Sequence, residues 1–85
     1  MTMSRSTKRE VIRDHNRASM EAIGLIRKIM ARKGITQSEL ARRLGFSRQN
    51  VFAMLSGQRR ISLRSIVRFA HAVGARVSFS VSLRR

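Results

Sequence analysis

The chain has 85 residues, with 19 Lys or Arg against 4 Asp or Glu, a formal net charge of +15, and neither Cys nor Pro. That length bounds it to one domain, and the lack of Cys excludes disulfides, thiol nucleophiles and Cys-based metal sites. An apolar share of 42% is too high for a disordered tail, and the excess of cations makes the chain repel itself unless a polyanion lies near.

Residues 1–18 read as a basic N-terminal arm carrying five Lys or Arg. Two states of it stay open: a disordered lead, and a backward extension of the first helix. The opening "MTMSRSTKRE" is charged with no apolar run behind it, unlike a secretion signal. A cytoplasmic protein is expected. From Ser19 the pattern turns helical. Ala22, Ile23, Ile26, Ile29 and Met30 recur at spacings of three and four and mark one apolar stripe. Arg27, Lys28, Arg32 and Lys33 lie mostly off the stripe and read as a solvated face. Gly34 stops the helix.

"TQSE" opens a second helix, with Thr36 and Glu39 spaced as a capping box. Leu40, Ala41 and Leu44 give its inner side, and Gly45 ends it. Ser47 caps a third helix that runs to about Leu55, where "SGQRR" breaks the pattern. Ser62 caps a fourth, with Ile66, Val67, Phe69, Ala70 and Val73 inside, and Gly74 stops it.

Then the period changes from helical to strict alternation. In "ARVSFSVSL", Val77, Phe79, Val81 and Leu83 share one face and Ser78, Ser80 and Ser82 the other, as in a half-buried strand. "REVI" near the N-terminus is the only weak candidate for a second strand, and a lone strand cannot satisfy its backbone. Pairing with the same strand of a second copy is therefore expected. The division is a basic arm over 1–18, a helical domain over 19–74, and a dimerisation strand with a basic tail over 75–85.

Residues 37–56 resemble the helix-turn-helix of phage-repressor-like regulators, the Cro/C1 or XRE type. Gln37, Leu40, Ala41, Leu44, Gly45, Phe46, Val51 and Met54 carry the match. Ala41 is small where the two helices cross, and Gly45 allows the positive φ of the tight turn. The resemblance covers roughly 20–74. It implies a mainly α fold: a four- or five-helix domain with one C-terminal β-strand pairing across a dimer. The layout is also similar to the antitoxin repressors of type II toxin–antitoxin modules and to small phage autorepressors.

The resemblance further implies that the third helix enters the DNA major groove by its N-terminal end. The family's base-reading positions fall on Arg48, Gln49, Phe52 and Ala53. Arg suits guanine, Gln suits adenine, and Phe and Ala suit thymine methyls. Gln37, Ser47 and Ser56 are assigned to phosphate, as are Arg59 and Arg60 of the following loop. Phe52 has two readings, contact with DNA or packing under the arm or at a dimer contact. The role of Asn50 stays open. Arg5, Lys8 and Arg9 are candidates for a minor groove, as in the arms of some DNA-binding domains.

Sequence-specific double-stranded DNA binding by a homodimeric repressor is thus the leading function. The alternative is an antitoxin whose main role is to neutralise a cognate toxin protein. His15 and His71 are the two histidines, and His71 reads as a core-edge residue. With no Cys and four scattered acids, no metal set, cofactor or catalytic grouping is expected. A membrane partner is disfavoured because capped, compact helices replace one long amphipathic stretch. The lack of Trp and Tyr leaves no aromatic platform for RNA.

Overall fold

The computed structural model describes residues 5–83, with side chains from Thr7 onward; residues 1–4 and 84–85 lie outside the described part. Four helices follow in order: α1 (Arg5–Lys33), α2 (Gln37–Leu44), α3 (Arg48–Leu55) and α4 (Leu63–Ala72). No strand is present among the described residues, and none of these helices is long and apolar enough to cross a membrane.

At 1.5 Å per residue a 29-residue α1 is about 44 Å long, and it sets the 43 Å long dimension of the molecule. Its inner half carries the stripe, with Ile23, Ile26 and Met30 buried and Ala22 and Ile29 packed against them. Its outer half, residues 7–18, is exposed throughout. There is no break at Ser19: of the two states left open for the arm, residues 5–18 have the helical extension. Extending a helix already nucleated on a core costs little, and Arg17 pairs with Asp14 at 3.0 Å one turn away. Lys8 and Arg9 are exposed on this helix, and the side chain of Arg5 lies outside the described residues.

Serine and threonine hydroxyls start the three short helices as expected. Thr36 Oγ1 accepts from the Glu39 amide, Ser47 Oγ from the Asn50 amide and Ser62 Oγ from the Ser65 amide, each at 3.1 Å. The Glu39 carboxylate, expected to reach back to the Thr36 amide, is engaged forward instead. It accepts from Arg42 and, at 3.1 Å, from Arg43. Those hydrogen bonds, Arg42 first, hold its carboxyl below the ordinary carboxylate value.

The helix ends close in two ways. At Gly45, φ 72°, the chain turns left-handed, and the next amide, of Phe46, returns to Ala41 O at 3.0 Å. The same return is made by Ile35 to Met30, Gln58 to Ala53 and Ala75 to Ala70. Cations from other helices then take up leftover carbonyls. Arg27 donates to Leu55 O at 3.0 Å, Lys33 to Val73 O at 2.6 Å, Arg43 to Ala72 O at 2.8 Å, and Arg68 to Leu44 O at 3.4 Å. Each satisfies an orphan acceptor and opposes the negative end of a helix dipole. Arg27 and Lys33, read from sequence as solvated surface, are thus part of the scaffold.

Phe69, Leu40, Val51, Leu55, Val73 and Ile23 form the centre of the core. Ile61, in the loop before α4, joins it at 2% exposure. The Phe46 ring lies 6.2 Å from that of Phe69, tilted by 55°, with the Arg68 guanidinium 4.8 Å above it. His71 is exposed, which corrects its core-edge reading. It borders a shallow cleft with Arg43, Leu44, Val67, Arg68 and Ala72.

Residues 75–83 belong to no ladder. The expected strand has no partner inside the chain, and ladder bonds define a strand. Val77 packs against the core. Phe79, Val81 and Leu83 are 67%, 97% and 98% exposed. Ser82 borders one cleft with Glu10, Arg13, Asp14 and Arg17, so the tail returns beside the outer half of α1.

Candidate nucleic-acid interface

Ala41, 3% exposed, keeps α2 and α3 close where they pack, and Gly45 turns the chain between them. Six of the eight residues of α3 then divide between inside and outside, with Asn50 and Ala53 half-buried between them. Val51, Met54 and Leu55 are buried, while Arg48, Gln49 and Phe52 are exposed. These three line one open groove with Gln37 and Ser38 of α2 and Gln58 of the following loop. The first turns of both helices therefore present their side chains to the same space.

Phe52 is half exposed and stands in this groove. No described residue of α1 or of the tail lines it. Ala53 is half-buried and is not among the lining residues. Its carbonyl accepts from the Gln58 amide at 3.0 Å, the Arg59 amide at 3.3 Å and the Ser56 hydroxyl at 3.3 Å. It anchors the loop after α3. Ser47 is exposed and caps α3, and its hydroxyl hydrogen stays available to an acceptor. Ser56, Arg59 and Arg60 are exposed beyond the other end. Asn50 is half-buried, and its Oδ1 accepts a hydrogen bond from Arg59. Val77, Phe79, Val81 and Leu83 sit apart from the groove, on the tail.

Two lining residues escaped the sequence reading. Ser38 follows Gln37 on the first turn of α2, where its exposure was readable. Gln58 is placed by Gly57, whose φ of 80° folds the loop back beside α3. A Cβ on Gly57 would lie 3.2 Å from the Met20 sulfur of α1, so this turn also needs close approach. No periodicity announces it.

The charge around the groove is one-sided. No Asp or Glu follows Glu39 in the sequence, and Glu39 is itself paired with Arg42 and Arg43. The first turn of α3 holds no acid. No group of three His, Cys, Asp or Glu that could hold a metal occurs among the described residues. The groove offers guanidinium and amide groups that match base edges, one apolar ring, and hydroxyls and cations at its margins.

A test separates the assigned roles. Gln49→Ala is expected to cost roughly 1–3 kcal/mol on a specific site and to relax one base position. Gln37→Ala is expected to weaken binding to all sequences alike. Titration of both variants on a specific and an unrelated duplex reads the difference, and identical shifts in preference would contradict this docking of α3.

A helix-turn-helix family model matches residues 26–79, more than half of the chain. The outer part of α1 lies outside that match. No curated protein and no solved structure matches the chain. The match encloses α2, the Gly45 turn, α3 and every residue of the groove, and the chain belongs to the Cro/C1, or XRE-type, helix-turn-helix family of DNA-binding transcriptional regulators.

Proposed function

We propose that this protein is a homodimeric repressor that reads a palindromic operator, with α3 in the major groove. One observation carries the reading: Arg48, Gln49, Phe52 and Gln37 share one exposed groove on a chain of net charge +15. In this reading Arg48 and Gln49 contact base edges, Phe52 covers thymine methyls, and Gln37, Ser47, Ser56, Arg59 and Arg60 hold phosphates. Ala53 stays a candidate base contact only where the helix enters deeply enough for its methyl to reach.

Dimerisation is assigned to the tail. Val77, Phe79, Val81 and Leu83 form one apolar face whose outer three residues are uncovered in the single chain. A domain of this size hides only about 60% of the surface its unfolded chain exposes, which favours further burial against a partner. A second copy supplies an identical strand edge by two-fold symmetry.

Selection of bound DNA from a random pool tests the reading. A two-fold symmetric consensus is expected, and a consensus without symmetry would contradict the dimer. Binding is expected to weaken steeply with salt, with about −0.9 added to the slope of log K against log salt for each neutralised phosphate. A nearly flat slope would remove the electrostatic part.

A further inference from the structure

We propose that Asn50 is a positioning residue: it holds the Arg59 guanidinium beside the first turn of α3, ready for a DNA phosphate at the margin of the groove. This rests on the DNA-binding reading above and extends it to a residue whose role the sequence left open.

The geometry begins with the loop. Gly57 turns left-handed, and the Gln58 and Arg59 amides both return to Ala53 O. The backbone of Arg59 is thereby fixed beside the last turn of α3. Its side chain then runs back along the helix and donates from Nη1 to Asn50 Oδ1. The amide of Asn50 is separately engaged by the Ser47 hydroxyl at 3.1 Å, so the acceptor sits on a capped, ordered turn.

Two other roles for Asn50 fit less well. Base reading by an Asn uses both its amide atoms on adenine, yet Oδ1 is occupied by Arg59 and Asn50 does not line the groove. A purely stabilising role is opposed by the helix dipole. A cation near the first turn of a helix faces the positive end of its dipole, and stabilising cations belong at the other end. Arg27 occupies that other end of α3, on Leu55 O. The Arg59 guanidinium instead adds to the positive potential that a phosphate meets. An arginine held in advance has less rotamer freedom to lose on binding, which is a gain from preorganisation. Asn50 Oδ1 occupies only part of the guanidinium, and the remaining N–H groups can take the anion.

The test is a set of titrations over a salt series. Wild type, Asn50→Ala, Asn50→Ser, Arg59→Ala and the Asn50→Ala/Arg59→Ala double variant are measured on the selected operator and on an unrelated duplex. Both Asn50 variants are expected to weaken both duplexes by one common factor of roughly threefold to tenfold, toward the lower end of the coupling between contacting side chains. Arg59→Ala is expected to flatten the salt slope by about 0.9. Adding Asn50→Ala to Arg59→Ala is expected to change nothing further. A shifted base preference in the Asn50 variants would make Asn50 a base reader and overturn the proposal. Effects that multiply in the double variant would overturn it too, since the two side chains would then act independently. The Ser variant carries the comparison if the Ala variant loses helix by circular dichroism. Wild type that binds neither duplex would instead remove the DNA reading itself, and the proposal with it.

Discussion

Replacing Phe79 and Val81 with Asp is expected to give monomers whose four helices stay intact. Both side chains are largely bare in the single chain, at 67% and 97% exposure, so charges there break no internal packing. Val77, which does pack against the core, is left in place. In the proposed dimer the same residues face each other across a two-stranded antiparallel ribbon. With the two-fold axis at Ser80, position 79 of one copy faces position 81 of the other, so Asp at both places like charges opposite one another. The ribbon would set two α3 helices about 34 Å apart, one turn of duplex DNA. Losing it converts a second, intramolecular contact into an independent one, which is worth about 10²–10⁴ in affinity. Binding to a half-site is therefore expected to survive while binding to the full palindrome falls by that order. Sedimentation velocity reads the assembly state. A double variant that remains dimeric, or wild type that is monomeric at micromolar concentration, would reject the ribbon.

Phe69→Ala is expected to lower the melting temperature of the chain more than any surface substitution. Phe69 is fully buried at the centre of the core, and its ring also supports Phe46, which in turn stacks under Arg68. Truncating a buried Phe costs about 3–5 kcal/mol through lost transfer energy and the cavity left behind. A domain of this size has about 4–13 kcal/mol in total at typical per-residue stability. The loss therefore takes from about a quarter of it to all of it. Phe46, the ring beneath Arg68, would also lose its support, which loosens the approach of Arg68 to Leu44 O at the end of α2. Phe52→Ala makes the contrast. Its ring is half exposed in the groove, so thermal stability should hardly move while DNA binding changes. Melting curves of the two variants side by side test this, and a Phe52→Ala melt that falls as far as that of Phe69→Ala would place Phe52 in the core.

The three short helices were legible because their ends are written locally. Thr36, Ser47 and Ser62 start them, and left-handed glycines or a broken period stop them within a few residues. Arg48, Gln49 and Phe52 were legible as an outward face because the buried Val51, Met54 and Leu55 fix the helical wheel. The outer half of α1 was not, since Val11 and Ile12 make no stripe there and residues 7–18 stay exposed, with only the tail beside them. Its helicity is inherited from the packed half. The carbonyl contacts of Arg27, Lys33, Arg43 and Arg68 span 24 to 40 residues, and no local pattern records them. Ile61 lies buried between Arg60 and Ser62 because the loop folds under α4, again a tertiary fact. The alternation of the tail was plain in sequence, but alternation names a face and not the chain that covers it.

The central claim is that DNA meets this protein on the groove between the first turns of α2 and α3. Backbone amide shifts, followed by NMR as the selected duplex is added, test it most directly. The largest changes are expected at Gln37, Ser38, Arg48, Gln49, Phe52 and Gln58, with Arg59 beside them and the outer half of α1 unmoved. Changes centred on residues 7–18 of α1, with the groove silent, would contradict it.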